Sequence, residues 1–421
     1  MKRQLVVPKL ITDLRSFSRP AKLFLLATAI DGVIYSAWML FFNFYILERG
    51  FDREFLGLVT TMTSLATLIL GFPLGMLSDR IGRKRAMLLG VSVYIAATIL
   101  EITVLKPSLI LAMAFIGGAG YTFYFLSQAP FMMRVSSSQH RTLLFSFNFG
   151  LITLTGTAGN LFAGQLPAMF GGWLDVPASS ASAYQAVMLA AILTGSLMLI
   201  PLALIREPKA ETQLPTSDQA KSPLGKTFFK PLTIQLTLPN IVIGFGAAIL
   251  IPYLNVFLKE QFSIPDPLLG LLFSLSALLT GIGSILGPRL ADSMRSKIKA
   301  ITLTQSLSLG FLLLLGFSPF LWLASLGFLM RAALMNMGAP LFDAFSMEQV
   351  QEHEQATVNS IRILGWQAGW AIGPYISGLV QEAYGFAPLF TATALMYALA
   401  TWFTWHFFLR RETVIAIQPA I

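Results

Sequence analysis

The chain has 421 residues, of which 55% are apolar and only 12% charged, against roughly 45–50% and 25% in soluble domains. With a mean hydropathy of +0.70, that balance excludes a soluble α/β enzyme, and 34 Phe in long apolar runs exclude a disordered chain. Cysteine is absent, which excludes disulfides, thiolate metal sites and cysteine nucleophiles, and His140, His353 and His406 share no ligand spacing.

A helix that crosses a bilayer needs about 20 mostly apolar residues. Twelve segments qualify: 22–47, 55–77, 86–105, 108–133, 143–169, 184–205, 232–258, 267–290, 300–317, 319–345, 358–380 and 387–409. They are too long and continuous for barrel strands of about 10 alternating residues. The first carries Asp31 and is followed at once by another, unlike a cleaved signal peptide. The expectation is an all-α integral membrane protein with 12 transmembrane helices.

Lys and Arg set the orientation. With the N-terminus in the cytoplasm, 24 of the 29 basic residues lie inside, among them Lys2, Arg3, Lys9, Arg15, Lys209, Lys221, Lys226 and Arg411. Only Arg49, Arg53, Lys106 and Lys259 lie outside, and Arg331 falls within a span. Both termini are therefore expected in the cytoplasm, the chain in the cytoplasmic (inner) membrane. The net charge of +9 then faces anionic lipids rather than nucleic acid.

Residues 206–230 are polar, hold three Pro, and read as a cytoplasmic linker between a bundle at 1–205 and another at 231–421. The halves look like copies. Asn43 and Glu48 recur as Asn255 and Glu260, and Gly71, Leu74 and Gly75 as Gly283, Leu286 and Gly287, all 212 residues on. Parallel repeats of six helices are one known basis for alternating access.

The loop after the second span reads Gly75-Met-Leu77-Ser-Asp79-Arg80-Ile-Gly82-Arg83-Lys84-Arg85. It resembles the signature G-x-L-x-D-R-x-G-R-[RK] of the major facilitator superfamily, and every specified position is met. The resemblance covers the whole chain and implies two six-helix bundles related by pseudo-two-fold symmetry, of multidrug or metabolite permease type, moving a solute by rocker-switch transport. It also implies that Gly75, Asp79, Arg80, Gly82 and Arg83 form a gate that latches the cytoplasmic face in the outward-open state. Gly75 would allow close helix approach, Asp79 would accept hydrogen bonds from a helix N-terminus, and Gly82 would permit the turn. The second half keeps a weaker version, Gly287-Pro-Arg289-Leu-Ala-Asp292, with a longer Gly-to-Asp gap. The buried Arg usual in the fourth helix of proton-coupled members is absent, and so is the Gly-Pro pair of drug antiporters in the fifth. In the eleventh span Gly365, Gly369 and Gly373 recur every four residues, a stripe for helix contact.

Polar residues within spans are the candidate substrate and coupling groups. Asp31 lies nine residues past Lys22, roughly 14 Å up the helix, and Tyr35, Trp38 and Phe42 follow at helical spacing. Arg331 is comparably deep, which suggests that the two charges face each other across a cavity. Glu101, near the outer end of the third span, reads as peripheral. Tyr121, Tyr124 and Gln128 form a polar face of span four, Asn240 and Asn255 mark span seven, Asn336 follows Arg331, and Trp366 and Trp370 stand one turn apart.

These features point to a secondary transporter exporting amphipathic compounds by proton antiport, working as a monomer among membrane lipids with no cofactor or metal. The alternatives are an importer of a polar or anionic metabolite, with Arg331 engaging the anion, and a non-transporting membrane sensor or scaffold. No HExxH, GxSxG or Walker A motif is present, so the chain does not read as an intramembrane enzyme or an ATP-driven pump.

Overall fold

The structure is a computed structural model that describes residues 17–206 and 230–410. The basic N-terminal residues Lys2 to Arg15, nearly all of the linker and Arg411 lie outside the described residues. The rest is helical: α1 (Arg19–Glu48), α2 (Arg53–Ile81), α3 (Arg83–Thr103), α4 (Pro107–Val135), α5 (Ser138–Ala163), α6 (Leu166–Leu174), α7 (Ala181–Ser196), α8 (Leu199–Leu204), α9 (Pro231–Leu250), α10 (Leu254–Phe262), α11 (Asp266–Met294), α12 (Lys297–Phe317), α13 (Leu321–Glu348), α14 (Glu352–Tyr384) and α15 (Ala387–Thr404).

All twelve predicted segments fall on helices, and among the described residues nine are long and apolar enough to cross a membrane. The other three are α5, α14 and α15, rich in Thr, Asn, Gln and Trp. Their milder apolarity fits their positions, since each lies against neighbouring helices: Ser36 of α1 donates to Gly156 O of α5 at 3.0 Å, and the glycine stripe of α14 meets α9.

Local sequence starts and stops these helices. Ser18, Asp52, Ser180 and Ser296 cap α1, α2, α7 and α12 by accepting from the backbone N–H three residues on. Gly82 separates α2 from α3 at φ +93°, a conformation that other residues adopt only with strain. Pro252 cannot donate a helical N–H, and a 3-10 turn over Ile251–Tyr253 divides α9 from α10 there.

The helix pairing recurs along the chain. The contacts of α1 with α5 and α7, α2 with α4, and α3 with α4 and α7 are matched by those of α9 with α14 and α15, α11 with α13, and α12 with α13 and α15. Two further pairs join the early helices to the late ones: α2 with α14, and α5 with α11.

These two seams are shut at one end of the molecule only. At the end bearing the 49–52 and 263–265 turns, a Cβ on Gly57 would sit 2.6 Å from Pro374 O, one on Gly378 2.3 Å from Arg53 O, and one on Gly270 2.6 Å from Asn160 O. Tyr375 Oη donates to Glu54 at 3.2 Å, Arg53 pairs with Glu260 at 2.8 Å, and Lys259 pairs with Asp266 and reaches the Tyr184 hydroxyl. At the opposite end a Cβ on Gly71, Gly75 or Gly150 would meet nothing within 4 Å. Phe72 and Phe149 are exposed there.

Candidate functional site

The open end leads to two cavities, which meet at Trp370 of α14. The first, of about 250 Å³, lies among α9, α12, α13, α14 and α15. Asn240, Arg331, Asn336, Trp366 and Trp370 all line it, five residues singled out in the sequence. Gln305, Asp343 and Tyr397 complete its polar lining. Arg331 is buried, its carbonyl accepts from Ser308 Oγ at 3.0 Å, and Tyr397 is its polar side-chain neighbour.

The polar groups of this cavity are incompletely used. Arg331 Nε, Trp370 Nε1 and Gln305 Oε1 are buried without a hydrogen-bond partner. Asn240 donates its amide to Arg362 O (3.1 Å) and Asn336 to Ala332 O (2.9 Å). Asp343 is held by Arg362 at 2.6 Å. Among the described residues, Arg331 therefore stands as the cation of the cavity that no carboxylate neutralises. Buried donors left without partners cost about 1–3 kcal/mol each, a cost that a solute bearing acceptors would offset.

The second cavity, about 230 Å³, lies among α1, α2, α3 and α4. Tyr35, Trp38 and Tyr121 line it, with Phe42, Asn43, Tyr94 and Glu101. Trp38 stacks on Phe42 with ring centroids 4.3 Å apart, and Tyr94 meets Tyr121 at 5.6 Å. Together the two cavities reach the lower part of the roughly 300–1,000 Å³ usual for small-molecule sites.

Four sequence readings change. Glu101 is not peripheral: just before it on α3, Ala97 and Thr98 face Gly117 of α4, where a Cβ would lie 3.5 Å from Ala97 Cβ and 3.7 Å from Thr98 Oγ1. This brings Glu101, 3% exposed, into the cavity wall. Asp31 does not face Arg331. No ion pair joins them in this conformation, and Asp31 lies outside both cavities, with Tyr35, Tyr94, Tyr121 and Tyr124 as its electrostatic neighbours. Asn255 is a seam residue rather than a lining one: Asn43 donates to its Oδ1 at 2.9 Å, and it donates to Leu40 O at 3.0 Å. Tyr124 and Gln128 are buried within the helices, outside both cavities.

The loop of the signature is anchored to its own neighbours. Arg83 pairs with Asp79 and donates to Ser78 Oγ at 2.9 Å, Ser78 meets Ser127 of α4 at 2.7 Å, and Lys84 donates to Ala203 O at 2.6 Å. Arg80 is exposed. Gly75, expected to allow close approach, has open space beside it because α2 and α14 diverge at this end.

Known proteins share this sequence and fold. A model of the Major Facilitator Superfamily matches residues 23–241 and 236–420. Over 182 residues the chain is 27% identical to "Multidrug resistance protein MdtG" of Salmonella typhi, covering 42% of this chain and 43% of that protein. Over 163 residues it is 26% identical to "Sugar efflux transporter A" of Escherichia coli (strain K12), covering 38% and 41%. The chain thus matches less than half the length of these curated relatives. Among solved structures, a bacterial homologue of the human lysosomal transporter Spinster, inward-facing and unoccupied, superimposes with a TM-score of 0.77 at 16% identity, covering 95% of this chain and 98% of that one. The nucleoside transporter NupG gives 0.72 at 15% identity, covering 92% and 98%. At these identities the likeness is one of fold.

Proposed function

The chain belongs to the Major Facilitator Superfamily, and on that premise we propose that it is a secondary transporter that moves a small organic solute by alternating access. The observation that carries this reading is a mixed aromatic and polar cavity reached from one end and sealed at the other by two glycine-lined seams.

The recurring helix pairs support twelve spans in two bundles of six related by pseudo-two-fold symmetry, joined through 206–230. The Lys and Arg distribution supports an inner-membrane protein with cytoplasmic termini, so that the open end is cytoplasmic. The conformation described is then inward-open, with the loop at Gly75–Arg83 unlatched.

We infer export of amphipathic compounds by proton antiport. Rings of Trp38, Phe42, Tyr121 and Trp366 supply the apolar surface, and two curated relatives bear names of resistance or efflux. Asp31, buried and in no ion pair among the described residues, is the group that would carry the proton. A second reading, import of a polar or anionic metabolite, draws on the unpaired Arg331 beside Trp370 Nε1. Proteoliposomes with an imposed pH gradient separate the two. Export by antiport requires solute movement opposite to the proton flux, and movement of an organic anion in the same direction as protons would favour import. Absence of any gradient-driven flux across amphipathic cations, sugars, nucleosides and organic anions would reject the transport reading.

A further inference from the structure

The cavity among α1–α4 contains one carboxylate. Glu101 is 3% exposed, and its Oε1 is buried with no hydrogen-bond partner. Among the described residues, no Lys or Arg pairs with it. The cation in its neighbourhood, Arg49, is engaged elsewhere: its guanidinium lies 5.2 Å from the centre of the Tyr45 ring and donates to Val104 O. Tyr94 is an electrostatic neighbour of Glu101, and Tyr35, Trp38 and Tyr121 line the same cavity.

A carboxylate without a protein counter-ion, set among ring faces, offers the two attractions that an organic ammonium group uses. One is Coulombic and strengthened by the low dielectric; the other is cation–π, about 2 kcal/mol or more per well-placed ring when desolvated. An anion meets the reverse of both. Leaving an ionised carboxylate unpaired at this depth is costly, and a bound cation supplies the missing charge.

We propose that this cavity is a subsite for the ammonium group of an organic cation, with Glu101 as its counter-charge and Trp38, Tyr94 and Tyr121 as its aromatic walls. Transport of that cation rests on the transport reading above; its binding stands without it. Arg331 in the adjoining cavity repels the same ammonium group. A solute that fills both cavities therefore lies with its cationic end toward α3 and an acceptor-bearing end toward Arg331, crossing Trp370.

The test uses the full chain in nanodiscs with benzyltrimethylammonium, whose charge does not titrate, and benzyl alcohol as the neutral control. Binding is read by calorimetry and by quenching of tryptophan fluorescence. Wild type should bind the ammonium compound, Glu101→Gln at least tenfold more weakly, and Glu101→Asp should retain a preference for it over benzyl alcohol. The alcohol should bind both variants within twofold of wild type. Should Glu101→Gln fail to fold, Tyr94→Leu carries the test, with a severalfold loss expected for the cation alone. No binding by wild type, equal affinity in Glu101→Gln, or a loss confined to Asp31→Asn would each overturn the subsite. Binding that depends on Glu101, with no gradient-driven flux of any of the solute classes named above, would instead overturn the transport reading and support the subsite. Flux unaffected by Glu101→Gln would do the opposite.

Discussion

Asn43 and Asn255, 212 residues apart, each donate to the carbonyl three residues before the other. Asn43 Nδ2 reaches Pro252 O at 2.7 Å, and Asn255 Nδ2 reaches Leu40 O at 3.0 Å. Residues 40 and 252 are themselves 212 apart, so the exchange follows the internal repeat. Pro252 O is free to accept across the seam because the N–H that would reach it in a continued helix, that of Val256, donates to Asn255 Oδ1 at 2.9 Å instead. Asn43 also lines the cavity among α1–α4, so the sealed end forms the roof of the site.

Removing either amide leaves buried carbonyls unpaired, at about 1–3 kcal/mol. Asn43→Ala and Asn255→Ala should each shift the population toward a state open at this end. The double variant should add little, because the partners form one exchange. Spin-label distances between cysteines introduced at the 49–52 and 263–265 turns read this directly, and the native chain has no cysteine to interfere. Strictly additive shifts would show that the two amides act independently.

Asp31 and Arg331 do not meet in this conformation. Asp31→Asn and Arg331→Gln should therefore add in their effects on the thermal midpoint, with a coupling below about 0.5 kcal/mol. Asp31→Asn should also lose gradient-driven accumulation while keeping downhill exchange, and Arg331→Gln should lower affinity for solutes bearing an anionic or acceptor group. A double-mutant cycle on midpoint and affinity checks both. Rescue of one variant by the other would restore the facing pair that depth alone suggests.

The helices and five residues of the cavity around Arg331 were legible in the sequence, because apolar length and rare intramembrane polar groups are strong signals. Glu101 was not. Its place near a span end suggested the periphery, and what sets it inward is the packing of Ala97 and Thr98 on Gly117 of α4, a three-dimensional fact with no periodic signature. Helical spacing likewise put Asp31 on the face of Tyr35 and Trp38, yet only the two rings reach the cavity. Spacing fixes an angle about one helix; which neighbours occupy that angle depends on packing. Gly71 and Gly75 match Gly283 and Gly287 in sequence, but only the later pair is in close contact, against Ala333 O and Met337 O. A repeat predicts equivalent positions, and a molecule shut at one end uses them differently.

The signature loop should matter for closing rather than for the state described. Because Gly75 faces open space and Asp79 is exposed, Gly75→Leu and Asp79→Asn should leave the thermal midpoint nearly unchanged and still slow transport at least tenfold. Label distances across the open end should stay long in both variants when solute is added. A large fall in midpoint would mean that the residues support this state, and shortened distances with normal transport would remove the latch.

Gly378 should give the opposite phenotype. A Cβ there would lie 2.3 Å from Arg53 O and 3.0 Å from Arg53 C, backbone atoms that cannot swing aside as a side chain can. Gly378→Leu forces α14 away from the start of α2 and strains the neighbouring Tyr375–Glu54 and Arg53–Glu260 contacts. The exposed ion pair is worth only about 0–1 kcal/mol, so the glycine contact decides. Overpacking of about 1–3 kcal/mol shifts the ratio of the two states roughly 5–150-fold. The expected molecule is open at the end sealed here and closed at the end bearing Gly75. Accessibility of a cysteine placed at Thr60, which lines the cavity beneath the seam, should then rise from the 49–52 side in Gly378→Leu. In Gly75→Leu it should stay low. If both leucine variants gave the same labelling pattern, the two glycine-lined ends would not alternate.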